Sequence, residues 1–599
     1  MTVAGETPRD NDEVKPRRGG RRRWIVGAIL LLLLIIVAAG IYVGYLAMKV
    51  KDDIEAARSQ ATQAREAILD GDVAKATAAA AAADDKAESA TSKSHNPVWA
   101  VAAAVPWLGS PLDSVREMTD AVHDLTSDVL VPTAELSEVI NPDSLRNTDS
   151  GINVGALANA QAQLAPIADS AESINEDVRG IDSSWLGMVG DAKTELFDQT
   201  DETARFVRGT DTAARLLPPM LGAGGDRSYF LAFQTPSEAR ATGGLVGAFG
   251  IVNARDGQVS VEDIGTNAEL RPPRTPSNFG PEFNQMFGFN KPYTDSRNSN
   301  ISAHFPYAAQ IWMNMWQQQS GQQLDGAIAL DPVALSYILK GTGPITLPDG
   351  EKITAENVVP ITLSTSYERF GGDNAARKAY LQEIARTAVT SLSSVRGDAG
   401  QILEGLGQAV HERRIMIYSS TPDEQKLLES TNLGHQVAET TSPYANVVVQ
   451  NAAGNKIDYY LKREITYTAG ECDADTREST VKVKLTNTVE DMTLPPYVIG
   501  HLGNVQNVPN GTNIAVVQID GTAGATLNSV LVDGQSNFFS SGTELGHPVS
   551  FSQVMIPPGK SVTVEFQFTE PTSATGPAVV PVQPLVDDPV VRVDVPECR

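Results

Sequence analysis

The stretch Phe233–Gly250 (FQTPSEARATGGLVGAFG) holds the residues of this 599-residue chain that are best suited to bind a ligand. Glu238, Arg240 and Thr242 stand there between two apolar runs and beside several glycines. Glycine lets the backbone approach a ligand closely, and the planar guanidinium of Arg240 can hold a phosphate or a carboxylate through paired hydrogen bonds. The stretch therefore predicts an anion-binding site. The alternative is that Glu238 and Arg240 pair structurally at a tight turn.

The common catalytic and metal-binding signatures are absent from the sequence. It contains no H-E-x-x-H, no G-x-S-x-G and no G-x-x-x-x-G-K-[ST] motif. The seven histidines, including His304, His411 and His501, lack metal-ligand spacing, and two cysteines are too few for a cysteine zinc site. The sequence by itself therefore predicts no cofactor.

An α/β domain over residues 225–430 must position the stretch. SYFLAF, LVGAFGIV and QVSVEDI read as strands, with a hairpin turn at Arg255-Asp256-Gly257 between the last two. A helical pattern over 306–319 and the strand AIAL follow, and Asp331-Pro332 predicts a capped helix start. The strand PITL, a helix after Thr354, a longer helix over 374–393 and the strand RIMIYS complete the domain.

Residues 444–599 lose the helical period and predict an all-β sandwich. Short strands such as NVVVQN, KIDYYLKREITYT and NIAVVQID alternate with turns, and a Pro-rich strap leads to VVRVDV. The two cysteines, Cys472 and Cys598, fall in this domain. A disulfide between them would close a loop of about 127 residues and stabilise the fold by on the order of 4–5 kcal/mol. The alternative is two free thiols.

Residues from Trp24 to Met48 form an uncharged run of 25 residues. A helix of that length rises roughly 37 Å, enough to cross a bilayer core of roughly 30 Å. Arginines concentrate in the preceding tail, residues 1–23, so the positive-inside rule places that tail in the cytoplasm. We therefore expect a single-pass plasma-membrane protein with its bulk outside. A cleaved signal peptide is the alternative, but its apolar region would be shorter.

Residues 50–216 predict a helical stalk or bundle between the span and the α/β domain. Two series at steps of three and four residues, one from Val115 to Val129 and one from Leu164 to Ile181, mark amphipathic helices. The apolar stretch Val98–Leu112 is too short for a second span. It either lies at the membrane surface with Trp99 and Trp107 as anchors, or packs as a buried connector.

The charge balance narrows the class of partner. The formal net charge is −26, and residues 1–51 alone hold 9 basic against 4 acidic residues, so the remainder is more acidic still. Such a surface argues against nucleic acid. This charge suits a soluble surface, or one that gathers cations.

Three segments carry a resemblance to a known family: YFLAFQTPSEARATGGLVGAFG, NSNISAHFPYAAQIWMNMWQQQSGQQLDGAIALDPVALSYILKGTGPI and YERFGGDNAARKAYL. They resemble a chiefly actinobacterial, membrane-anchored family catalogued as a domain of unknown function, DUF4012. The resemblance covers roughly residues 225–430. It implies a protein of the bacterial cell envelope, whose expected partners are the membrane itself and a cell-wall glycan or envelope protein, but it brings no established activity.

The order of parts is also similar, more weakly, to the LytR-CpsA-Psr ligases, which transfer pyrophosphate-linked glycans to peptidoglycan. This similarity implies a LytR-CpsA-Psr-like fold and further site residues beside Glu238 and Arg240: Arg271, Arg274, Arg369, Asp373 and Arg377. Arginines would neutralise a pyrophosphate, and carboxylates would hold Mg²⁺. Gly243-Gly244 and Thr275 stand where the ligases carry Asp. For Arg369, Asp373 and Arg377, the alternative is a solvated helix face with a cap.

Two functions follow from these expectations. The first is a non-catalytic scaffold or binding module in envelope biogenesis, which the incomplete carboxylate set favours. The alternative is a LytR-CpsA-Psr-like transferase that binds pyrophosphate-linked glycan and uses Mg²⁺.

Overall fold

A computed structural model describes residues 20–69, 71–107, 109–140, 151–182, 184–393, 399–472, 474–501 and 507–598. The chain divides into two compact units, one of Met1–Glu138 with Ala162–Asp211 and one of Val139–Gln161 with Thr212–Arg599. Most of the expected cytoplasmic tail, and the side chain of Trp24, lie outside what the structure describes.

The first seven helices are α1 (Gly20–Leu69), α2 (Val73–Ser94), α3 (Pro97–Ala103), α4 (Ser110–Asp124), α5 (Val131–Ile140), α6 (Val154–Gly180) and α7 (Gly187–Met220), with a π-helical segment at Leu125–Leu130. The predicted helical region is therefore present. All six apolar residues of the series from Leu164 to Ile181 are buried, as their spacing predicts.

Helix α1 contains the predicted span and continues past it without a break. Within the described residues, one helix is long and apolar enough to cross a membrane, the Leu33–Ile68 part of α1. Its apolar side chains are unusually exposed: Ile41 is 70% and Met48 68% accessible. A water-soluble helix would bury such residues, so the exposure fits a lipid environment.

Helices α1 and α2 form a hairpin that turns at Gly71, whose φ is +72°. Their contact is made of small side chains, with Ala64 and Ala67 packed on Ala76 and Ala80. Alanines allow close helix approach and carry high helix propensity, which is why an alanine-rich sequence with a weak apolar face still packs. The cap is local, since the Asp72 side chain accepts a hydrogen bond from the Lys75 backbone amide.

The second unit opens with a five-stranded sheet in the order β3-β2-β1-β4-β7. Its strands are β1 (Arg227–Arg240), β2 (Gly243–Arg255), β3 (Gln258–Thr266), β4 (Gly326–Leu330) and β7 (Ile415–Ser419), and β1 pairs in parallel with β4. Trp312 and Phe305 of the helix over Phe305–Ser320 cover one face. Leu216, Met220 and Leu428 cover the other, so the central strands are buried on both sides.

The helices of this unit are α8 (Pro281–Phe287), α9 (Phe305–Ser320), α10 (Pro332–Thr342), α11 (Val358–Pro360), α12 (Ser366–Phe370), α13 (Asn374–Ser393), α14 (Ala399–His411), α15 (Pro422–Glu429) and α16 (Pro496–Ile499). Asp331 caps α10 through the Ala334 amide, as the sequence indicates. Two predicted elements are shorter in the structure than the sequence indicates. PITL yields only the two-residue β5 (Ile345–Thr346), which pairs with β6 (Lys352–Ile353), and the helix after Thr354 is the short α11 followed by a π-helical turn.

The C-terminal part contributes a six-stranded sheet, β13-β12-β16-β10-β9-β17, and a four-stranded sheet, β14-β15-β11-β8. The strands are β8 (Ala445–Asn451), β9 (Leu461–Ala469), β10 (Thr476–Asn487), β11 (Asn513–Gly521), β12 (Thr526–Val532), β13 (Gln535–Ser536), β14 (Ser540–Glu544), β15 (His547–Ile556), β16 (Ser561–Pro571) and β17 (Val590–Asp594). Side chains from both sheets share one apolar core. A disulfide joins Cys472 and Cys598, as predicted.

One predicted strand is wrong in its first part. KIDYYLKREITYT begins with a 3₁₀ turn, Ile457–Tyr460, and only then becomes β9. The reason is tertiary: the Asp458 carboxylate is buried and accepts hydrogen bonds from the Ala239 amide, Asn451 and Asn513. These bonds hold the segment in a turn although its residues favour a strand.

Candidate functional site

The site begins at a bulge near the end of β1. The register moves from Thr235 opposite Leu245 to Ala239 opposite Gly244, so Pro236, Ser237 and Glu238 have no partner in the ladder. A Cβ at Gly244 would lie 2.2 Å from the Thr235 carbonyl carbon, so the strand opposite the bulge must carry glycine there. A β-bulge changes the direction of the side chains beside it, and this bulge displaces Glu238 from the strand ladder.

Glu238 is the centre of a buried ion-pair triad. Its Oε1 accepts a hydrogen bond from Arg240 Nη2 at 3.1 Å, and its Oε2 accepts one from Lys456 Nζ. Each of the three side chains is at most 8% exposed. Burial alone would raise the pKa of Glu238, but Lys456 and Arg240 outweigh it and hold that pKa below its ordinary value. The carboxylate therefore stays charged and orients both cations.

Arg240 is fixed further by backbone carbonyls. Its Nε donates to the Arg297 oxygen at 2.9 Å, and its Nη1 donates to the Ala239 oxygen at 2.9 Å. The structural pairing of Glu238 with Arg240, the alternative reading of this stretch, is thus present. The guanidinium nevertheless lines an open cleft, so pairing and ligand contact do not exclude each other.

A second buried cation, Arg377, stands on the same cleft without a carboxylate. It belongs to α13, is 3% exposed, and its Cζ lies 4.4 Å from the Tyr367 ring centre and 4.3 Å from that of Tyr497. Within the described part of the chain it forms no ion pair, and its buried Nη1 has no hydrogen-bond partner. Lys456 Nζ lies 5.4 Å from the same Tyr497 ring. The two cations therefore flank one tyrosine.

The cleft that these residues line has a volume of about 1710 Å³. Its described lining includes six cationic side chains, Arg240, Lys291, Arg297, Arg377, Lys378 and Lys456, and three carboxylates, Glu238, Asp295 and Asp331. The balance is positive in a chain whose net charge is −26. Two aromatic rings on the lining, Phe289 and Phe538, are 95% and 85% exposed. The cleft thus offers an anion a positive potential and a sugar or lipid an apolar platform.

Four residues implied by the ligase resemblance lie outside this lining. Arg271 and Arg274 are exposed in the segment after β3. Arg369 is paired with Glu351 at 2.8 Å and stacks 4.7 Å over the Tyr380 ring. Asp373 caps α13 by accepting a hydrogen bond from the Ala376 amide at 3.0 Å. The structure brings together Glu238, Arg240 and Arg377 from the expected set.

The carboxylates of the cleft do not fit the Mg²⁺ that the ligase resemblance implies. Glu238 pairs with Lys456 and Arg240, Asp295 with Arg297, and Asp331 with Arg414. Each oxygen set is therefore already engaged by a cation. Among the described residues, no group of three His, Cys, Asp or Glu side chains is arranged to hold a metal ion.

Sequence reasoning missed Lys456, Tyr367 and Tyr497. Lys456 lies 218 residues from its partner Glu238, and Tyr497 comes from the short α16 between β10 and β11. A lysine at the first position of a predicted strand gives no local signal of burial. One hint was available: the predicted strand begins with the charged residues Lys456 and Asp458, and a strand of a buried sheet seldom begins with Lys and Asp.

Comparison with known families agrees with the first resemblance. Residues 224–367 match the family described as "Protein of unknown function (DUF4012)". This segment is therefore similar to that family, and it contains the β1 bulge, Glu238 and Arg240. Arg377, Lys456 and Tyr497 lie beyond the matched range. No curated protein matches the chain. The similarity to LytR-CpsA-Psr ligases stays a prediction.

Proposed function

We propose that this protein is a single-pass, extracytoplasmic binding module of the cell envelope, whose cleft takes a glycan carrying an anionic group such as a phosphate. The observation that carries the proposal is Arg377. Its guanidinium is buried without a carboxylate, and one of its nitrogens lacks a hydrogen-bond acceptor among the described residues. Such a group destabilises the fold unless an external anion supplies the missing charge and acceptor. Arg240 and Lys456 stand on the same wall and add charge.

The location follows from three features taken together. The arginines before the span favour a cytoplasmic N-terminus. The disulfide indicates an oxidising compartment for the C-terminal part. The two sheets that share a core support a β-sandwich over residues 444–599, a common fold of spacer and interaction modules. A scaffold role for this part is compatible with ligand binding at the cleft.

Glycan transfer is the weaker alternative. It relied on five arginines facing one pyrophosphate, whereas Arg271, Arg274 and Arg369 are not on the cleft lining. It also relied on carboxylates for Mg²⁺, and those of the cleft are engaged in ion pairs. We therefore propose binding without transfer.

Binding of inorganic pyrophosphate to the detergent-solubilised full chain tests the proposal by calorimetry. We expect Arg377→Ala to weaken binding about tenfold or more, since a charge-assisted hydrogen bond contributes about 1.5–3 kcal/mol. Arg274→Ala, which removes an exposed arginine outside the cleft, should bind as the wild type does. Circular dichroism confirms that both variants fold. Unchanged binding by Arg377→Ala, or no binding by the wild type, would refute the phosphate site.

A further inference from the structure

An exposed apolar patch lies where the α3–α4 connection meets the α6–α7 connection. Trp107 and Trp185 form its centre, and the apolar side chains Val101, Val105, Leu186 and Met188 are exposed next to them along the chain. The Trp107 and Trp185 rings stack with centres 5.6 Å apart, and Trp185 Nε1 donates to the Trp107 carbonyl oxygen at 2.8 Å. Trp107 is 74% and Met188 77% exposed. A cluster of this kind on a folded surface marks a docking site.

The patch lies level with the end of the predicted membrane span. Trp99 and Ala103 of α3 pack on Leu46 and Val50 of α1. Leu46 and Val50 flank Met48, where the uncharged run ends, and a helix rises only 1.5 Å per residue. With Trp24–Met48 in the bilayer, helix α3 lies at the height of the lipid headgroups. Val101 is 73% exposed on α3, whereas Trp99 is buried, so the two faces of α3 differ.

The backbone holds the Trp107 indole outward at a conformational cost. Trp107 has a φ of +65°, in the left-handed region that L-residues rarely adopt. Two residues later a Cβ at Gly109 would lie 1.8 Å from the Ala103 oxygen, so only glycine allows this tight turn. Indole rings prefer the interface between lipid and water, so a membrane surface suits the exposed Trp107 and Trp185 rings better than water does.

We propose that this patch inserts into the interfacial layer of the bilayer that α1 spans and holds the helical unit on the membrane. The inference rests on the proposed membrane anchor. The flank carries both signs of charge, since Glu117 interacts with Asp182, Asp113 and the cation Arg116, which pairs with Asp113. Attraction to anionic headgroups is therefore not the driving force, and a neutral lipid surface with apolar contact suits the patch.

Tryptophan quenching by brominated lipid tests the proposal. The full chain is reconstituted in phosphatidylcholine nanodiscs that carry bromine on shallow acyl carbons, and emission is compared with unbrominated discs. Of the six tryptophans, Trp312 and Trp316 are buried in the α/β core. We expect the double variant Trp107→Phe, Trp185→Phe, which keeps the patch apolar, to lose most of the quenchable emission. The matched control Trp312→Phe, Trp316→Phe should keep it.

The outcomes separate the patch from the anchor. Equal quenching in the wild type and the Trp107→Phe, Trp185→Phe variant would overturn the proposal. The quenching that remains in this variant reports Trp24 at the start of the predicted span and Trp99, which packs on α1 near its end, so its absence would instead mark failure of the anchor. A patch covered by a second copy of the chain would give no bromolipid signal from Trp107 and Trp185 and a dimer in analytical ultracentrifugation, which also overturns it.

Discussion

At the scale of single residues, burial decides how the charges of the cleft behave. The Glu238 carboxylate forms ion pairs with both Arg240 and Lys456. Burial alone would lower the pKa of Lys456, but Glu238 and the neighbouring tyrosines more than offset it, so the pKa lies above its ordinary value. Glu238 and Lys456 therefore remain charged, and Arg377 is a buried cation of the cleft that has no carboxylate partner among the described residues.

Replacing Glu238 with Gln should destabilise the fold strongly. Lys456 and Arg240 would stay buried without a carboxylate, and breaking such a buried pair costs about 3–5 kcal/mol. Urea unfolding of the full chain in detergent measures the loss. Glu464→Gln is the matched control, because Glu464 pairs with Lys484 on the surface, and it should change stability little. Equal stability of the two variants would contradict the buried triad.

A second residue, Glu544, gives stability a pH dependence. Burial first, and then the neighbouring Asp520, raise the pKa of Glu544 to about 8. Its Oε1 accepts a hydrogen bond from Ser302, while its buried Oε2 has no partner among the described residues. A carboxyl whose pKa is higher in the folded state stabilises the fold fully below its unfolded pKa. That contribution is lost as the pH rises towards about 8.

The variant Glu544→Gln should therefore gain stability relative to the wild type between about pH 6 and pH 8. The neutral amide imitates the protonated carboxyl and does not titrate, so the variant lacks this part of the pH slope. The free energies of unfolding of both proteins, measured across this range, give the difference. Glu464→Gln serves as the exposed control and should follow the wild-type slope. A difference that does not change with pH would contradict the raised pKa.

At the scale of elements, two devices shape the cleft. The β1 bulge places Glu238, and the 3₁₀ turn at Ile457–Tyr460 brings Asp458 to the Ala239 amide at 2.8 Å. The far C-terminus adds to the same region, since the Gln583 side chain donates to the Arg240 carbonyl oxygen at 2.7 Å. The strap that follows ends in β17, which pairs in parallel with β9 and is held by the disulfide.

Removing the disulfide should loosen β17 before the rest of the fold. In Cys472→Ser, Cys598→Ser the closed loop, a separation of 126 residues, is opened, and stability should fall by on the order of 2–5 kcal/mol. Hydrogen exchange at residues 590–594 should accelerate most, because β17 is an edge strand. A reductant should have the same effect on the wild type and none on the variant. Unchanged exchange in β17 would contradict this role.

At the scale of the whole molecule, every functional proposal depends on the predicted membrane span. The described structure has one helix fit to cross a membrane, and the folded mass follows it in sequence. A cell-wall ligand and an oxidising compartment require that this mass lies outside the cytoplasm, whereas the interfacial patch requires only the span itself. The orientation itself rests on the arginines of the tail, and it is open to direct measurement.

A membrane-impermeant amine reagent applied to intact cells that express the chain should label Lys482. Its side chain is 49% exposed in the C-terminal part, so access depends on the side of the membrane alone. Mass spectrometry of the peptides before and after lysis reads the result, with a cytoplasmic protein as the control that labels only after lysis. Labelling of Lys482 only after lysis would reverse the topology and remove the envelope proposal.

The sequence by itself determined the features that depend on neighbours in the chain. An uncharged run of 25 residues specifies a helix long and apolar enough to cross a membrane, periods of two and of 3.6 residues specify most strands and helices, and Asp331-Pro332 specifies a capped start. The tertiary structure alone decided which charges meet. Arg271, Arg274 and Arg377 look alike in the sequence, yet only Arg377 is buried on the cleft, and Lys456 joins Glu238 across 218 residues. Local spacing fixes the direction of a side chain relative to its own element, but contact between distant elements depends on how whole faces pack.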